Sequence, residues 1–64
     1  MKATDMTYEQ LFKSARTMEK VGGGFASAIA KAFFTADSTN AGKLVHAFGD
    51  LFVKFHDYYS EERT

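Results

Sequence analysis

The 64 residues contain no Cys, no Pro and no Trp, and their charges cancel, eight Lys and Arg against eight Asp and Glu. Without cysteine there is no disulfide staple, no thiolate zinc site and no thiol nucleophile. The neutral balance removes the strongly basic signature of a dedicated nucleic-acid binder. Long hydrophobic runs are missing too. The most apolar stretch, Phe25 to Ala36, is broken by Lys31 and is too short to cross a bilayer core of roughly 30 Å. The opening Met1–Thr7 has a charge but no apolar core and no cleavage site, so it does not read as a secretory signal. A soluble, cytoplasmic chain is expected.

What is present argues for a folded domain. The hydrophobic fraction is 45% and the aromatic fraction 16%, above the range of disordered chains. The length allows one small domain, residues 1–64 together, burying only about 60% of its unfolded surface.

The periodicity is helical throughout. Thr7-Tyr8-Glu9-Gln10 fits a capping box, and Met6 and Leu11 take the two staple positions beside it. Tyr8, Leu11, Phe12, Ala15 and Met18 then form one apolar face, with Glu9, Lys13, Arg16 and Lys20 opposite. This predicts a first helix over 8–21. Gly22-Gly23-Gly24 ends it, one glycine supplying a left-handed cap and the others a change of direction. A phosphate-cradling loop is the weaker reading, because no strand precedes the triplet and no Lys-Ser/Thr follows it.

The second helix is predicted over 25–36. Phe25, Ile29, Ala32, Phe33 and Ala36 form its main stripe, and Ala26, Ala28 and Ala30 widen it to most of the circumference. So broad an apolar face belongs to the central helix of a bundle. Phe34 breaks the pattern, lying on the polar edge between Ser27 and Lys31. Asp37 or Ser38 caps a third helix over 38–48, and Leu44, Phe48, Leu51, Phe52, Phe55 and Tyr59 continue one apolar phase along the chain.

Gly49 interrupts that segment without a slip of the phase, and Asp50 can cap a fresh start, so two arrangements stand side by side. The chain bends near Gly49 into a short fourth helix over 50–59, with a frayed polar tail at 60–64. Alternatively, one long helix runs straight through and pairs with a second copy of the chain. The bend is preferred, because a straight helix would carry Phe55, Tyr58 and Tyr59 past the end of the bundle. Each large apolar side chain left in water forgoes about 1.5–3 kcal/mol. The expected fold is all-α, a small three-helix bundle with the third helix kinked or broken near Gly49.

Gly22-Gly23-Gly24-Phe25-Ala26-Ser27-Ala28, Ala30, Ala36-Asp37-Ser38, Asn40, Leu44, Ala47-Phe48 and Leu51-Phe52 together resemble a group of very short phage and prophage proteins. The resemblance covers roughly residues 20 to 58. It implies a phage or prophage origin, hence the cytoplasm of a bacterial host, and carries no catalytic residues. The chain departs from the pattern at Gly49, where the group has Pro.

Chemistry finds few footholds. His46 and His56 lack the i,i+4 spacing of a shared ligand pair, and His46 with Asp50 alone does not close a metal site. Ser27 has no base at a predictable distance, and a domain this small is expected to lack a ligand cleft of roughly 300 Å³ or more. No enzyme activity and no cofactor or metal are expected.

Two binding classes remain. Lys13, Arg16 and Lys20 form a stripe on one helix face, and helix two with helix three resembles a helix-turn-helix that places Lys43 near the start of the recognition helix. That is the alternative reading, a small DNA-binding module. Membrane-surface binding by helix one yields to core packing, which uses the same apolar residues. The preferred reading is protein–protein binding. Seven Phe and three Tyr exceed the needs of so small a core, and aromatic residues favour interface centres. Phe34, Tyr58 and Tyr59 are the expected anchors. The expected partner is a host or phage protein, with modulation of a host machine or defence system as the implied role and homodimerisation as a further arrangement.

Overall fold

A computed structural model describes the backbone of residues 2–63 and the side chains as far as Tyr58; the expected anchor Tyr59 has its side chain outside the described residues. A short 3-10 turn, Ala3–Asp5, precedes four helices: α1 (Tyr8–Val21), α2 (Gly23–Thr35), α3 (Ser38–Ala47) and α4 (Gly49–Arg63). The described residues contain no strand, and the chain is all-α. The bundle has four helices where three were expected, because the break before Gly49 is complete. Phe48 leaves helical geometry at φ −120° and ψ 30°, and the last segment is a helix in its own right. The continuous long helix is thereby overturned.

Local chemistry sets the helix ends. The Gln10 backbone N–H donates to Thr7 Oγ1 at 3.1 Å and the Thr7 N–H to Gln10 Oε1 at 2.9 Å, so the capping box closes in both directions. Asp37 caps α3, its carboxylate accepting from the Asn40 N–H at 2.8 Å. Asp50 is not a cap: α4 begins one residue earlier, and Asp50 lies in its first turn, where the helix dipole favours a carboxylate. At its far end α4 passes the expected limit of Tyr59, since no Gly or Pro stops it.

The glycine triplet divides its labour. Gly22 alone links α1 to α2, and α2 starts at Gly23, two residues before the expected Phe25. Gly23 has φ +79°, a left-handed value that costs most other residues roughly 1–2 kcal/mol. Gly22 is needed for space. A Cβ there would sit 2.5 Å from the Met18 carbonyl oxygen and 2.6 Å from the Ala26 Cβ.

The packing order departs from expectation. α1, not α2, is the shared element, lying along both α2 and α4, while α2 meets α1 and α3. Ala15 and Met18 are sealed on α1, as the periodicity indicates, but so are Ser14 and Thr17. Both hydroxyls find carbonyls: Ser14 Oγ donates to the Phe52 oxygen at 2.6 Å and Thr17 Oγ1 to the Lys13 oxygen at 3.2 Å. Their small size and satisfied hydrogen bonds let α1 present a second buried side to α4. Ala26, Ala30 and Phe33 from α2 and Val45, Phe52 and Phe55 from α3 and α4 complete the core with Ala3 and Met6.

Candidate interaction surfaces

Burial on α2 is confined to Ala26, Ala30 and Phe33, which leaves the opposite side of an apolar helix without a neighbour. Phe25, expected in the core, is 63% exposed, and Ala28 and Ala32 are exposed with it. The Phe25 ring makes an edge contact with Phe48 at 5.7 Å and otherwise faces outward. Lys31 is the only charged residue on this helix. Val21, at the end of α1, is 52% exposed.

The expected anchors occupy different settings. Phe34 is half-buried, its ring 5.1 Å from Phe12 and 6.2 Å from Phe33, so the chain itself already covers much of it. Tyr58 is 45% exposed, with its ring 6.3 Å from Phe55. Tyr8 was expected in the core and is 66% exposed, although one face stacks on Phe33 at 5.9 Å.

The cations of the DNA-binding alternative, Lys13, Arg16, Lys20 and Lys43, are all exposed. Lys13 pairs with Glu9 at 3.7 Å, one turn away as the sequence indicates. The corresponding Asp50–Lys54 pair does not form; the Lys54 ammonium lies 5.7 Å from the centre of the Phe55 ring. His46 is exposed on α3 and His56 is half-buried on α4. Among the described residues no group of three His, Asp or Glu side chains is placed to hold a metal ion.

Clefts are present, contrary to expectation. An open groove of about 700 Å³ is lined by the N-terminal turn together with Val45, Gly49 and Val53. A second, of about 330 Å³, lies between the start of α1 and α3. Both fall within the volume range of ligand sites, but they are open furrows between helices. Sequence reasoning missed them because the N-terminal turn and Val45, which shape both, carry no periodic signal of their own. No helix among the described residues is long and apolar enough to cross a membrane. No family model, characterised protein or solved structure matches the chain.

Proposed function

We propose that this chain is a non-catalytic module that works by binding another protein, a host or phage protein in keeping with the resemblance to short phage proteins. One observation carries the reading. An apolar helix in a chain with little core to spare leaves Phe25, Ala28 and Ala32 uncovered on one side. A large apolar side chain kept in water forgoes about 1.5–3 kcal/mol, a substantial share of a small domain's stability. Burial of that side against a partner recovers the loss, with Phe25 as the aromatic anchor.

The competing DNA-binding reading rests on the exposure of Lys13, Arg16, Lys20 and Lys43, one of which is already paired with Glu9. A single comparison tests both. The tagged chain and its Phe25→Ser variant are each used to capture proteins from bacterial lysate, and each is titrated with duplex DNA at several salt concentrations. Protein binding through α2 predicts a specific captured band that Phe25→Ser loses while its helical circular dichroism is unchanged. Submicromolar DNA binding at physiological salt, abolished by changing Lys13, Arg16 and Lys20 to Glu, would replace this reading with the other.

A further inference from the structure

Two charges that helical neighbours could neutralise are left over. On α1, Glu9 pairs with Lys13 at 3.7 Å. Arg16, one turn further on, makes no ion pair among the described residues, although Glu19 follows it by three. On α4, Asp57 stands three residues after Lys54, the spacing of a helix-surface pair. The Lys54 ammonium lies instead 5.7 Å from the centre of the Phe55 ring, and the exposed Asp57 has no counter-ion among the described residues. An exposed ring accompanies each leftover charge, Tyr8 two turns before Arg16 and Tyr58 beside Asp57.

The two places are complementary. Tyr8, Glu9, Phe12, Lys13 and Arg16 line an open groove of about 500 Å³ on α1, two rings and two cations against one carboxylate. The chain's own Tyr58 is not part of that lining; its ring lies 6.3 Å from Phe55. We infer that two copies of this chain associate, Tyr58 of each entering the α1 groove of the other. Each copy carries both the groove and the tyrosine, so a two-fold pair makes the contact twice.

Charge chooses the occupant. Along α1 the signs run negative, positive, positive at Glu9, Lys13 and Arg16; along α4 they run positive, then negative, at Lys54 and Asp57. Glu9 and Lys13 are about 6 Å apart along the helix axis, Lys54 and Asp57 about 4.5 Å. An α4 from a second copy, laid beside α1 in the same direction, therefore sets Lys54 against Glu9 and Asp57 against Lys13 and Arg16. The same register brings Tyr58 level with Phe12. A nucleic acid would meet the two cations but would bring only negative charge to Glu9. The zero net charge leaves no overall repulsion between copies. Exposed ion pairs contribute little each, so the buried ring supplies the attraction and the charges fix the register. The contact goes beyond the protein-binding reading and uses no residue on the outer side of α2.

The test is a dilution series of the full chain, labelled with nitrogen-15, followed by amide shifts and by sedimentation equilibrium. A Kd of about 0.1–1 mM is expected, in keeping with a small, partly ionic contact. The amide signals of Tyr8, Phe12, Arg16, Asp57 and Tyr58 should move with concentration, and added salt should weaken the association several-fold. Arg16→Glu and Asp57→Lys each place like charges at both contacts and should weaken it at least about fivefold. Both side chains are exposed, so helical circular dichroism should not change. Mixing the two variants should restore association, because each contact of the mixed pair again joins opposite charges. A chain still monomeric at about 2 mM overturns the inference, as do shifts confined to other residues or a mixture no tighter than either variant alone. Groove signals that move with an added oligonucleotide, but not with protein concentration, would give the groove to nucleic acid instead. The series needs no lysate, so its failure is distinct from loss of capture through Phe25.

Discussion

The α1–α4 contact and the α2–α3 contact are built on opposite terms. Where α1 meets α4, Ser14 and Phe52 are fully buried and the Ser14 hydroxyl reaches across to the Phe52 carbonyl at 2.6 Å. Between α2 and α3 the chain spends two residues, Ala36 and Asp37, and α3 contributes Val45 as its one buried residue. The first contact excludes water and fixes a register. The second leaves an uncovered helix side and an open groove. Stability therefore resides where α1 meets α2 and α4, and accessible surface on the outer side of α2 and along α3, the division expected when binding elements are drawn from the less stable part of a fold.

The comparison breaks first at Phe52. Its ring is fully buried and lies 5.3 Å from Phe33, joining the two halves of the core. Phe52→Ala is expected to cost about 3–5 kcal/mol. For a domain of this size that is enough to abolish the thermal unfolding transition, as circular dichroism would record. Next is Gly22→Ala, whose methyl would overlap the Met18 carbonyl and the Ala26 side chain. Relief requires α1 and α2 to separate, at about 1–3 kcal/mol by analogy with overpacked cores. Gly24 has free space around its missing Cβ, so Gly24→Ala should leave urea unfolding nearly unchanged. Equal losses at the two positions would refute the close-approach account of Gly22.

Ser14→Ala probes the hydrogen bond between α1 and α4 directly. The Phe52 carbonyl sits within α4, and the lost bond is expected to cost about 1 kcal/mol. Ser14→Val keeps the apolar fit but adds bulk where the residue is fully buried, and should cost more than Ala. If chemical denaturation ranks Val above Ala, packing rather than the hydroxyl is the tighter constraint.

Much of this arrangement was legible before the fold was known. The Thr7–Gln10 box, the Asp37 cap and the glycine link are short-range chemistry, and short-range chemistry is written in adjacent residues. The apolar phase from Leu44 to Phe55 located Phe52 and Phe55 in the core of α4 but passed over Val45, the buried residue of α3. What stayed hidden was which neighbour each face would meet. Periodicity shows that α2 is apolar nearly all round, but not that α1 would take the central place and leave Phe25 in water. Ser14 and Thr17 read as polar and are buried; Thr17 satisfies its hydroxyl on Lys13 one turn back, but Ser14 finds the Phe52 carbonyl on another helix, a contact that no window of sequence contains. The site is less legible still. Phe34 was conspicuous by its phase, yet its neighbour is Phe12, whereas Phe25 falls on the main apolar stripe of α2 and is exposed.

The smallest effect is expected at Gly49, and its cause differs from the one the sequence suggests. A helix break at glycine invites the explanation of positive φ, but Gly23 is the chain's positive-φ glycine. What a methyl on Gly49 would meet is the Ala3 Cβ, at 3.0 Å. Ala3 belongs to the N-terminal 3-10 turn, where the Asp5 N–H donates to the Lys2 oxygen and the Met6 N–H to the Ala3 oxygen. Such a turn can yield by a few tenths of an ångström. Two opposed terms then decide Gly49→Ala: relief of unfolded-state entropy, up to about 1 kcal/mol and less in a first turn, against displacement of a buried Ala3. The net change should lie within about 0.5 kcal/mol of zero. Removing the obstacle separates the terms. In an Ala3→Gly background the clash is gone, and Gly49→Ala should become stabilising by several tenths of a kcal/mol, a coupling that a double-mutant cycle resolves. The variant should sediment as the parent does, because α3 and α4 are already separate helices in the single chain. If Gly49→Ala stabilises equally in both backgrounds, the turn does not press on the junction.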